Sequence, residues 1–184
     1  MSAVQIPGSD GAFLATHRFY SPNDSREAGI VMAVPGEGGW KTTLLARLPH
    51  VHRFDILERD GVHYLIACTL CSGRDYKDDW SYPGKIYGCR LPGDLAQKDE
   101  TYRLPLEPIR EHMLKNHGYS RWRRHNVECG LVTADEGVFC VTPPGAGQEE
   151  WEIEQLMDVP VSDCVPVDLD GDGRDELLTL SPKI

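Results

Sequence analysis

Apolar and polar residues alternate along this chain over short stretches, and Gly, Pro, Asn and Asp interrupt them every few positions. A period of two marks β-strands with one face turned to a core. Four stretches share one layout, an acidic residue followed by Gly and then an apolar run: residues 9–17, 54–68, 130–142 and 166–180. Their turns read Asp10-Gly11, Asp60-Gly61, Glu136-Gly137 and Asp170-Gly171-Asp172-Gly173. Asp-Gly is a strong hairpin signal, because both central residues of a type I′ turn need positive φ. Each stretch therefore predicts two antiparallel strands.

The segment after each hairpin recurs as well. It opens with a Ser/Pro/Gly loop, around Pro22, Pro83, Pro144 and Pro182. A third strand is visible at residues 29–34 and 85–90. A fourth, ending in Leu-Pro or Val-Pro, is visible at residues 40–49, 102–105 and 151–160. One unit is thus four short antiparallel strands, the pattern of a β-propeller blade. The competing architecture is an all-β sandwich of similar strand count. The recurring order of turn, loop and closing strand favours blades. The units span residues 1–49, 50–105, 126–160 and 161–184, the last being half a blade.

Residues 106–125 read as an insertion between the second and third units. Ile109, Met113 and Leu114 have helical spacing, which predicts a short helix near residues 107–118 with Asn116 or Gly118 as its stop. Three and a half blades do not close a ring. The expectation is a piece of a longer propeller, or two copies of the chain completing one ring as a homo-oligomer, ahead of closure of the last blade by the N-terminal segment.

Composition narrows the functions. The 184 residues carry a net charge of −10, which argues against nucleic acid or an anionic membrane surface as a partner. No apolar run has the length of a membrane span, and residues 1–7 lack the basic and apolar regions of a secretion signal. Six cysteines at irregular spacing, with a lone Cys68-x-x-Cys71, do not form a zinc pattern or a disulfide scaffold. They read as reduced, buried residues on strands. Free thiols and the missing signal together point to the cytoplasm. No motif for an organic cofactor is present.

The last hairpin loop holds the densest chemistry. Asp168, Asp170 and Asp172 stand at relative positions 1, 3 and 5 with Gly173 at 6, the front half of an EF-hand loop, while position 12 is Thr179 rather than Glu. One reading is a calcium loop at a hairpin tip; the other is an acidic turn without an ion. The order Asp-x-Asp-x-Asp-Gly-x-x-acid-Leu, carried by Asp168, Asp170, Asp172, Gly173, Glu176 and Leu177, resembles the FG-GAP/VCBS-type repeat of β-propellers, including the integrin α-subunit propeller. That resemblance covers about twenty residues and implies Ca²⁺ held by Asp168, Asp170, Asp172 and Glu176 and by the backbone carbonyl of Arg174, with Asp175 a bystander. The other three loops depart from it and are expected to hold no ion. Most repeats of this kind are extracellular, the alternative to the cytoplasm.

A second candidate site lies at the entries to the units. His52, His117 and Asp163 occupy corresponding positions, and the sharp expectation is that they converge on a metal or a polar ligand, with Arg53 and Lys115 binding anionic groups. The bland alternative is that these histidines bond to backbone carbonyls. Tyr76 and Trp80, in the long polar loop of residues 75–82, are candidates for stacking on a sugar or for packing against their own blade. These sites support two functions. The first is a non-catalytic β-propeller module that binds a glycan or a protein and is stabilised by calcium. The alternative is a propeller-type carbohydrate lyase or isomerase with a histidine base.

Overall fold

The computed structural model describes residues 2–181. Met1 and residues 182–184, with Pro182 of the last Ser-Pro turn, lie outside the described residues. The fold is all-β, and the strands run in chain order with no crossover. Strands β1 (Ala3–Gln5), β2 (Phe13–His17), β3 (Gly29–Gly36) and β4 (Gly39–Arg47) form the first sheet. Strands β5 (Val51–Arg59), β6 (Val62–Thr69), β7 (Gly84–Arg90) and β8 (Glu107–Met113) form the second. Strands β9 (Gly118–Arg124), β10 (Val127–Ala134), β11 (Gly137–Thr142) and β12 (Glu152–Met157) form the third. Strands β13 (Asp163–Val167) and β14 (Glu176–Leu180) pair alone. Three blade-like meanders and a half are therefore present, as the alternation of apolar positions predicts. No helix among the described residues is long and apolar enough to cross a membrane.

The sheets stack face to face in sequence order, and alternation along the inner strands explains how. In β6, Leu65 and Ala67 pack toward the first sheet, while Ile66 and Cys68 join Val132, Phe139 and Val141 of the third. In β10, Val132 and Ala134 face the second sheet, while Cys129 and Leu131 face Val161 and Cys164 beside the last pair. A strand buried on both faces reads as a continuous apolar run, which is what residues 64–68 and 129–132 show. The two-stranded sheet is covered on one side only. Val165, Leu178 and Leu180 of its outer face stay exposed.

Turn chemistry fixes the hairpins. Asp60 and Gly61 both take positive φ, 53° and 76°, as the Asp-Gly signal requires. His125 and Asn126 form a second such turn, with φ of 50° and 63°, which nothing in the sequence flagged. Gly137 has a different reason. A Cβ there would lie 1.9 Å from the carbonyl oxygen of Met157 on β12, so β12 reaches the start of β11 only because the side chain is absent.

The helix expected near residues 107–118 does not form. That stretch is β8, which pairs with β7 and buries Met113 fully. Ile109 and Met113 are four residues apart, a spacing that fits a strand face as well as a helix face. His112 and Lys115 take φ of 57° and 51°, which no α-helix tolerates. Consequently the second sheet closes with β8 rather than with residues 102–105, and the third begins at Gly118 rather than at residue 126. Residues 91–106 instead strap the second sheet to the first: Leu91, Leu95 and Leu104 are buried in the core between them, and the Leu104 N–H donates to the Leu45 carbonyl at 2.9 Å.

Candidate binding cleft and acidic hairpin

The histidines come first, because the sequence places most of its chemistry on them. His52 stands on β5 and His117 just before β9, and their rings are 4.8 Å apart. Phe19 covers the other side of His52 at 5.1 Å. His52 Nδ1 lies 3.1 Å from the His117 carbonyl oxygen, and His117 Nδ1 lies 3.2 Å from the Ser162 carbonyl oxygen. A carbonyl only accepts, so Nδ1 carries the proton in both rings. Each histidine thus latches its sheet to the backbone of the next. Burial, then the neighbouring His117 and Arg53, hold the His52 pKa down at about 4, against the pull of its backbone hydrogen bond. Behind it, buried His50 bonds Ser25 Oγ at 2.8 Å.

Asp163 sits beside this pair without joining it. Its carboxylate accepts from the following Cys164 N–H at 3.0 Å, and its Cα lies against Gly118, where a Cβ would come within 2.8 Å. The structure therefore brings His52 and His117 together and turns their Nδ1 atoms onto backbone. Lys115 pairs with Asp135 at 3.1 Å. Arg53 lies half-buried on β5.

Trp80 and Tyr76 divide. The Arg74 guanidinium stacks 4.1 Å from the Trp80 ring, which packs against the first core. Asp79 takes the Asp75 and Ser81 N–H groups and fixes the loop from within. Trp80 is thereby a structural residue of its loop, whereas Tyr76 is exposed.

The acidic hairpin is built from its own backbone. Asp168 accepts from the Gly171 and Gly173 N–H groups at 2.7 and 3.0 Å, Asp170 from Asp172 at 3.1 Å and Asp172 from Arg174 at 2.8 Å. Glu176 reaches back to the Leu169 N–H at 2.8 Å. Among the described residues, Asp168, Asp170 and Glu176 are the one group of three or more His, Cys, Asp or Glu whose ligand atoms gather, all within 4.8 Å of one another. Oxygens bound to one calcium at 2.3–2.6 Å are at most about 5 Å apart, so this trio fits the ion. Asp172 is not in the trio. Asp175 ties the hairpin to the third sheet by accepting from Trp122 Nε1 at 2.8 Å.

Sequence reasoning missed a cleft between two sheets. A cleft of about 650 Å³ lies where the second and third sheets meet. Its floor is the Trp151 ring, seated on Gly88 of β7 and edge-on to Tyr64 at 5.8 Å. A Cβ at Gly88 would come within 2.6 Å of that ring, so the missing side chain makes the seat. Glu107, Glu149, Glu150 and Arg90 supply charge at the wall. The available signal was the isolated Gly in the middle of a strand, which marks close approach by another group.

Comparison of the chain with protein-family models and with curated proteins finds no match.

Proposed function

We propose that the chain is a non-catalytic binding module of the β-propeller type that takes a polar ligand, glycan or protein, in the cleft over Trp151. The observation that carries this reading is the aromatic floor: an indole seated on Gly88 and edge-on to Tyr64, in a cleft also lined by three carboxylates and one guanidinium. Aromatic residues in such settings contribute contact area at little cost in conformational entropy. The lyase or isomerase alternative would use the Nε2 lone pair of His52 or His117, since Nδ1–H donation to a carbonyl leaves that nitrogen basic, but neither ring lines the cleft over Trp151. A panel of immobilised glycans and peptides tests the cleft. A ligand found there should lose ~2 kcal/mol or more, roughly thirty-fold in Kd, on Trp151→Ala. Tyr76→Ala, far from the cleft, should leave it unchanged. Undiminished binding by Trp151→Ala would rule out the cleft as the binding site.

Calcium belongs to the same reading as a brace for residues 168–176, in keeping with the FG-GAP-like order of its acids. Three carboxylates held close together repel, and a bound cation relieves that repulsion. Saturating calcium at about a hundred times Kd would stabilise the fold by ~2.7 kcal/mol. For a chain of this size that raises Tm by roughly 5–10 °C over a sample in EDTA. Asp168→Asn should abolish the difference. Equal melting curves in calcium and EDTA would end the calcium claim.

A further inference from the structure

The third sheet carries two thiols on the face turned to the last strand pair. Cys129 on β10 and Cys140 on β11 belong to the cluster that holds Leu131, Val138, Val161 and Cys164. Leu131 and Val138 lie in that cluster's packed part. The Cys129–Cys140 end opens into a cavity of about 260 Å³, also lined by Arg124, Thr142 and Glu154. Register pairs Leu131 with Cys140 and Gly130 with Val141, so Cys129 is the diagonal neighbour of Cys140. The Cys129 thiol donates to the Trp122 carbonyl at 3.6 Å. The Arg124 guanidinium, ion-paired with Glu154, also reaches Cys140.

We propose that Cys129 and Cys140 form a two-thiolate clamp for a soft monovalent cation, copper(I), which enters through this cavity. Thiolate sulfur selects such ions over hard ones. The register decides between an ion and a disulfide. Diagonal neighbours in an antiparallel pair are ~7–8 Å apart, beyond the ~4.4–6.8 Å Cα span of a disulfide. Closing an S–S bond would thus require backbone movement in two inner strands, each hydrogen-bonded on both sides. An ion between the sulfurs takes up the gap instead. Binding sends two thiol protons to solvent and changes no oxidation state. The copper dithiolate carries one net negative charge, opposite the Arg124 guanidinium.

The test is anaerobic titration of the reduced full chain with copper(I) against a chromogenic chelator, with X-ray absorption to identify the ligands. One copper per chain in two-sulfur coordination is the expected result, lost in Cys129→Ser/Cys140→Ser and kept in Cys164→Ala. Arg124→Gln should weaken binding roughly tenfold. Cys140→Ala alone, which keeps the site apolar, must also lose the copper, so the test stands if the double variant unfolds. Stoichiometric binding by the double variant or by Cys140→Ala overturns the proposal, as does loss of copper in Cys164→Ala or no binding by the parent chain. A disulfide between these two residues after mild oxidation by a diazene overturns it too.

Discussion

Phe139→Ala should be among the most damaging single substitutions in this protein, lowering its unfolding free energy by about 4–5 kcal/mol, the upper part of the range for such truncations. Phe139 is fully buried on β11, in the core between the second and third sheets, among Leu57, Ile66, Ile86 and Met113. The guanidinium of Arg110, from β8, lies 4.1 Å over its ring. Arg110 Nε is buried without a hydrogen-bond partner, so the ring face is part of what stabilises that cation. Truncation removes the ring's own transfer energy, leaves a cavity between two sheets and strips the cation of its cover. Phe139→Leu keeps most of the volume and should cost far less. Leu178→Ala, on the exposed outer face of β14, should stay within about 0.5 kcal/mol of the parent. Urea unfolding of the three variants checks the ranking. A loss below ~1 kcal/mol for Phe139→Ala would mean that the two sheets do not rely on this contact.

The strands are legible in the sequence because their signal is local. Alternation and the acidic-Gly turns Asp60-Gly61 and Glu136-Gly137 locate β5, β6, β10 and β11, and a strand such as β6, buried on both faces, shows the continuous apolar run of an inner strand. Residues 107–118 mislead for an equally local reason. Ile109 and Met113 satisfy both periods, and only pairing with β7, a non-local fact, makes the choice. The same ambiguity shifts the boundary of the third sheet, since β9 (Gly118–Arg124) carries Arg and Trp where an apolar run is expected.

The candidate site is less legible than the fold. Recognition of the acidic loop needs only sequence spacing, and Asp168, Asp170 and Glu176 do gather. The cleft requires knowing that Gly88 of the second sheet and Trp151, just before β12 of the third, meet. The entry histidines stand out in sequence, yet which atoms face them depends on how each sheet lies against the next. His52 finds the His117 carbonyl because the second and third sheets stack in order, and His117 finds Ser162 by the same repetition. Corresponding positions in successive units thus mark a structural joint as readily as a site.

That joint gives the second large effect, a loss of stability in mild acid. His52 is held at about 4 when folded and has an ordinary value of 6.5. The unfolded chain therefore binds the proton first as pH falls, and protonation favours unfolding. Above about pH 7 both states are neutral at this ring and it contributes no pH dependence. Stability starts to fall near 6.5, is down by roughly 2 kcal/mol at pH 5, and levels off at roughly 3 kcal/mol once the folded ring also titrates near 4. The lowered pKa of buried His50 acts in the same direction, so the parent curve alone does not isolate His52. His52→Gln does, because the amide still donates to the His117 carbonyl but does not titrate. Unfolding free energies measured in urea at pH 7, 6 and 5 should fall less steeply for His52→Gln, with most of the 2 kcal/mol recovered at pH 5. Parallel curves for parent and variant would show that the ring is not kept from charging between Phe19 and His117. The direction matters for the joint itself: the cost lies first in charging a buried ring, then in its nearness to His117 and Arg53, not in losing the hydrogen bond, which an imidazolium still donates.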